Sequence, residues 1–168
     1  AILVPFAVTV LGLSAISVGA ALATHGIGMM LGALAAPRLM RCGSGARVTR
    51  LGPSLGVAAA VLVLVSHETK HTAWLYVGQF ALGFGGLVWI VSTTTLRQAV
   101  TPPGMLGKVS AVGLLAYGVR PLGALAGAAL AASAGLQTCL VAMLAIFACQ
   151  AAIVFTSPLR RLHDRIGQ

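Results

Sequence analysis

The sequence predicts an all-α, polytopic bundle of membrane-spanning helices, and three observations carry that prediction. The 168 residues are 58% hydrophobic and only 8% charged, against about 25% charged in soluble domains. The apolar residues form six continuous runs separated by short breaks. Apart from the first, these runs are too long and too continuous for barrel strands of about 9–11 residues. The 11 Lys and Arg face only two acids, Glu68 and Asp164, for a formal charge of +9. All the basic residues but Arg120 lie between the runs, which is membrane topology rather than the basic stripe of a nucleic-acid binder. A water-soluble globular domain is excluded, as is disorder, which needs low hydrophobicity.

The elements follow in chain order. Residues 1 to 9 are apolar but too short to span, and are expected to be the end of a helix whose start is missing. They carry no charged n-region and are not expected to be a signal peptide. Gly12, Leu13 and Ser14 make a turn. A second run extends from about Ile16 to Ala36. The basic segment 38–50, with Arg38, Arg41, Arg47 and Arg50, is expected to be a loop because Pro37, Gly43 and Gly45 punctuate it. A third run covers about Leu51 to Val65, and the polar break His67-Glu68-Thr69-Lys70-His71 ends it. The fourth covers about Ala73 to Thr94, and a loop containing Pro102 and Pro103 follows. The fifth run, about Val109 to Ala132, is expected to be one helix. A break near Gly135 leads to the sixth, about Thr138 to Phe155, and a polar tail, 158–168, closes the chain. The sum is about five complete helices plus the end of a sixth.

Lys and Arg counts alternate along the breaks: four after the second run, then Lys70 alone, then Arg97 and Lys108, then none, then three in the tail. By the positive-inside rule, the 38–50 segment, the Pro-Pro loop and the tail are expected in the cytoplasm. The His67–His71 break and the turns near Gly12 and Gly135 are expected outside.

Small residues mark the packing faces. Ala20, Thr24, Gly28, Gly32 and Ala36 recur every four residues in the second run, and Gly123 and Gly127 in the fifth. Such stripes allow close helix approach, either as static packing or as sliding surfaces. Cys139 and Cys149 would stand about 15 Å apart along a helix, beyond disulfide reach. Trp74 and Tyr76 are expected to be interfacial anchors.

Two segments resemble a known family. Gly28-x-x-x-Gly32-x-Leu34-x-x-x-Arg38-Leu39-x-Arg41-x-Gly43 is similar to the signature between paired helices of the major facilitator superfamily, with Pro37 where an acid often stands. Leu96-Arg97-Gln98-Ala99-Val100-Thr101-Pro102, Gly107-Lys108-Val109-Ser110-Ala111 and Gly118-Val119-Arg120-Pro121-Leu122-Gly123-Ala124 resemble the stretch between the tenth and eleventh helices of that superfamily's siderophore and macrolide exporters. The resemblance implies that residues 1–168 are the C-terminal six-helix half of a twelve-helix transporter in a bacterial inner membrane. It implies secondary, proton-coupled efflux of a small molecule by alternating access. An isolated half, lacking its N-terminal partner, would be inactive.

Several residues are candidates for the substrate path or coupling. Arg120 lies in an apolar run with no acid at membrane depth to pair with it. It has two readings, a cavity cation for an anionic group or a snorkelling side chain beside Pro121. His25 is either a proton relay or a helix–helix contact. Gln79 and Gln150 either line a path or bond neighbouring helices. Ser92, Thr93, Thr94 and Thr95 are expected to bond backbone carbonyls. Arg38, Arg41 and Lys108 serve topology or, by the resemblance, latch the two halves together. His67 and His71 have helical metal-ligand spacing but sit in a polar break, so no metal is expected.

No cofactor motif is present: the phosphate loop G-x-x-x-x-G-K-[ST] is missing. No cluster of catalytic side chains points to an enzyme. The expected partners are the lipid bilayer, a small-molecule substrate and the missing half, with no nucleic acid. The competing function is a non-transporting membrane scaffold or assembly subunit, whose glycine stripes would serve contacts between copies.

Overall fold

The computed structural model describes residues 3–42 and 45–157, with the side chains of residues 45, 46, 103, 116, 117 and 120 left out. The described residues are almost entirely helical and contain no strand. In order they form α1 (Leu3–Thr9), α2 (Ala15–Cys42), α3 (Gly45–Thr69), α4 (Thr72–Val100), a single 3-10 turn (Pro103–Met105), α5 (Leu106–Gly118), α6 (Arg120–Ala134) and α7 (Leu136–Thr156). Four helices, α2, α3, α4 and α7, are long and apolar enough to cross a membrane. That is the architecture an integral membrane protein requires.

Local chemistry sets the ends. Gly12 turns the chain with φ +62°, and the Ser14 hydroxyl accepts the Ser17 N–H at the start of α2. Lys70 closes α3 with φ +57°, a left-handed conformation common just beyond helix ends. Thr101 and Ser157 are extended, with ψ of 124° and 139°, because each precedes a proline.

Two expectations about element bounds are corrected. The 38–50 segment is not an extended loop. Helix α2 runs through Pro37 to Cys42, and α3 begins at Gly45. The fifth run is not one helix: it breaks at Val119 into α5 and α6. Pro121 has no N–H to give to Tyr117 and its ring crowds that carbonyl. The chain restarts its hydrogen bonding instead, with the Val119 carbonyl accepting from Leu122 and Gly123 at 3.0 and 3.3 Å. The two pieces, 13 and 15 residues long, are each about 20 Å in length, short of the ~30 Å hydrocarbon core.

Helix α4 is the central element, packed between α2 and α3, and α7 packs against α3. Glycine makes this possible. On α2, Gly28 and Gly32 lie against the backbone carbonyls of Phe80 and Phe84, and Gly83 of α4 lies against the carbonyl of His25. On the other face of α4, Gly85 meets Leu55, and Gly52 of α3 meets Trp89, where an added Cβ would stand 2.7 and 2.5 Å from the neighbouring Cβ. The buried face of α2 is Val18, Ala21, Gly28, Gly32 and Ala36. Ala20, expected on this stripe, is exposed. A four-residue step advances about 400° around a helix, so a strict four-residue stripe drifts off its face within a few turns.

The expected packing role of Gly123 is not seen, since a Cβ there would meet nothing within 4 Å. The Gly127 carbonyl accepts the Cys139 thiol at 3.4 Å and so does join α6 to α7. The Tyr76 hydroxyl donates to the Ser17 carbonyl of α2 at 3.2 Å. Trp74 is exposed, as an anchor would be.

Residue pairings give the directions. Gly28 with Phe80 and Gly32 with Phe84 run α2 parallel to α4, whereas Gly52 with Trp89 and Gly78 with Ala59 run α3 antiparallel to it. Gly56 with Phe147 and Arg50 with Phe155 run α3 antiparallel to α7. Arg38, Arg41, Arg47, Arg50 and Arg97 therefore gather at one end of the bundle, and Lys70 stands at the other. The outward surface is apolar, with Leu114 on α5, Leu125 on α6 and Ile146 on α7 all about two-thirds exposed or more. Hydrocarbon tolerates such a surface and water does not.

Candidate functional site

Two cavities lie along one seam, where α4 faces α3 and α7. Toward the basic end this seam opens into a cavity of about 450 Å³. Gly52 and Gly56 of α3 form one wall, and Phe147 and Gln150 of α7 another. Trp89, Thr93, Thr94 and Arg97 come from successive turns of α4, and Gly113 of α5 completes the lining. The spacing Leu82, Gly86, Trp89, Thr93, Arg97 puts these residues on one helix face.

Arg97 is the cation of this cavity. Its guanidinium lies over Gly113, where an added Cβ would stand 2.9 Å from Nη1. Among the described residues no carboxylate pairs with it; the single ion pair there joins His67 and Glu68, 3.2 Å apart, near the opposite end. Ser92, Thr93 and Thr95 return their hydroxyls to backbone carbonyls within their own helix, as the sequence suggests. Thr94 does not, which leaves its hydroxyl for the cavity it lines. The Gln150 amide likewise makes no hydrogen bond with the described residues. The cavity thus combines a cation, a hydroxyl and an amide with the rings of Trp89 and Phe147. This set suits a small organic anion with an aromatic or apolar body.

Farther along the seam a second cavity, of about 240 Å³, lies between α1, α3, α4 and α7 and contains Gln79. Leu82 and Phe147 line both cavities and stand between them. Gln79 and Arg97 are separated by about 27 Å along α4, close to the thickness of a hydrocarbon core.

The other sequence candidates are dispersed. The His25 ring bonds the Gln79 backbone carbonyl at 3.2 Å. A carbonyl only accepts, so Nδ1 carries the proton, and His25 serves as a contact between α2 and α4. Arg38, Arg41 and Lys108 are exposed, the first two near the end of α2 and the third at the start of α5. Arg120 opens α6 immediately after the break, about 20 Å along α5 from the basic end. Its side chain lies outside the described residues, as does the tail, 158–168. No group of three metal-ligating side chains occurs among the described residues.

Sequence reasoning counted Arg97 and Arg50 only toward topology. The signal for Arg97 was its register with Trp89 and Thr93 on α4. Arg50 works as a clamp, donating to the Phe155 carbonyl at 3.3 Å and lying 5.2 Å from the centre of the Phe155 ring. It thereby satisfies a carbonyl at the end of α7 and places positive charge at the negative end of that helix. Its Nε is buried without a partner. Arg50→Ala is expected to lower stability by about 2 kcal/mol, the sum of a charged hydrogen bond and a cation–π contact. Arg50→Lys should recover less than half. Unfolding midpoints in detergent decide this, and an unchanged Arg50→Ala midpoint would show that no clamp operates.

Comparison of the chain with protein-family models, with curated proteins and with solved structures finds no match.

Proposed function

We propose that this chain is the C-terminal half of a secondary transporter of the major facilitator type, exporting a small organic anion by alternating access. The observation that carries the proposal is the Arg97 cavity: an acid-free, partly aromatic chamber between helices long enough to cross a membrane. Such chambers between helices are where transporters hold substrate. In this reading Arg97 attracts the anionic group, Thr94 and Gln150 orient it, and Trp89 and Phe147 hold its apolar body. Siderophores and acidic lipophilic drugs are candidate substrates.

The glycine contacts of α2 and α4 support rigid-body movement, because they join helices backbone to backbone with few side chains to rearrange. They also speak against the scaffold alternative, since Gly28, Gly32 and Gly83 are occupied within the chain. The basic end is assigned to the cytoplasm by the positive-inside rule. A proton-coupling acid is expected in the other half, because neither acid of this chain lies in an apolar run.

The test is uptake into everted membrane vesicles containing the full-length protein. Carboxyfluorescein and an enterobactin-type siderophore should accumulate, the lipophilic cation ethidium should not, and a protonophore should abolish the uptake. The 168-residue chain alone should be inactive. Uptake of every compound equal to that of vesicles without the protein would end the transport reading.

A further inference from the structure

We propose that the cavity around Gln79 is a binding site for a neutral, ring-sized molecule that both donates and accepts a hydrogen bond, as a phenol does. This inference is independent of the transport reading. Gln79 is only 7% exposed, and its side-chain amide makes no hydrogen bond with any described residue. Its backbone carbonyl is already taken by the His25 ring. The amide presents two N–H donors and an oxygen acceptor, and a buried amide without partners is unfavourable. It lines a cavity whose other walls are apolar, among them Phe6, Val63, Leu140, Met143 and Phe147. The Cys139 thiol, also at the wall, is engaged with the Gly127 carbonyl.

Size and charge narrow the ligand further. A cavity of about 150 Å³ admits benzene, whereas drug-sized ligands need roughly 300–1,000 Å³. At about 240 Å³, this site takes one ring with a small polar substituent. No charged side chain lines it, so an ion would lose its hydration with no countercharge in return. The Phe6 and Phe147 rings and the Met143 sulfur offer the edge and face contacts that aromatic rings prefer. One hydroxyl on such a ring can accept from the Gln79 N–H and donate to its oxygen.

The experiment uses the protein in nanodiscs and fluorine NMR titration with three probes: 4-fluorophenol, fluorobenzene and 4-fluorobenzoate. The expected result is saturable binding of 4-fluorophenol, at least tenfold tighter than that of the other two. Gln79→Met, close in size and shape, should weaken 4-fluorophenol about tenfold and leave fluorobenzene unchanged. Ala60→Leu, which fills the cavity from α3, should remove binding of both; a matched unfolding midpoint shows that each variant is folded. Equal binding of 4-fluorophenol and fluorobenzene by the wild type would overturn the proposal. So would preference for the anion, non-saturating partition into the lipid, or a Gln79→Met variant that binds 4-fluorophenol as the wild type does.

Discussion

Gly83→Ala is expected to destabilise the protein by about 3 kcal/mol, at the upper end of overpacking costs, and Gly83→Val to prevent its accumulation in the membrane. The reason is what the new methyl group meets. At Gly83 it is the backbone carbonyl of His25, which belongs to a helix and cannot move by rotating a side chain. Relief requires α2 and α4 to separate, and that would also pull Gly28 and Gly32 away from the Phe80 and Phe84 backbone. The contrast lies three residues on: a Cβ at Gly86 meets nothing within 4 Å, and the same holds for Gly26 on α2. Gly86→Ala and Gly26→Ala should therefore leave stability unchanged or raise it slightly, since alanine is the better helix former. Unfolding midpoints of the four alanine variants at Gly26, Gly28, Gly83 and Gly86 make the comparison. If Gly86→Ala were as damaging as Gly83→Ala, the close approach would not be the cause.

Arg97→Gln is expected to raise the KM for carboxyfluorescein at least tenfold in everted vesicles, with normal amounts of inserted protein. A tenfold change corresponds to about 1.4 kcal/mol, modest for a charge-assisted hydrogen bond and suited to an exposed guanidinium. Arg97→Lys keeps the charge but loses the planar fork, and should fall between the two. Gly113→Leu offers a second route to the same site, because it displaces the guanidinium without removing it. Arg120→Ala separates the roles of the two cations: it should lower maximal rate rather than affinity if the α5–α6 break moves during transport. Unchanged KM in Arg97→Gln would remove Arg97 from the substrate path.

Much of the architecture was legible because long apolar runs, of the kind that suit a membrane, make each helix a local property. In hydrocarbon every backbone N–H must bond within its own segment, so apolar length and punctuation place the helices without knowledge of their neighbours. The turn at Gly12, the break after Thr69 and the restart at Leu136 follow from local residues alone. Where local signals competed, the sequence was less clear. Pro37 stands inside α2 without ending it, whereas Pro121, preceded by Gly118 and Val119, accompanies a break.

The site was less legible than the fold because a cavity belongs to several helices at once. Gln79 and Gln150 drew notice as amides in apolar runs, but nothing in their spacing shows that Leu82 and Phe147 stand between the chambers they line. Arg97 reads as one more positive charge at a helix end until α5 is seen to bring Gly113 beneath it. Arg50 reads the same way until α7 ends on it. Composition and apolar length act residue by residue, so the residues alone set out an all-helical chain with helices long and apolar enough to cross a membrane and with its positive charge concentrated between the apolar runs. Which glycines touch a neighbour, where the seam opens and which polar side chains face it depend instead on the rotation of each helix about its own axis, which packing between helices sets.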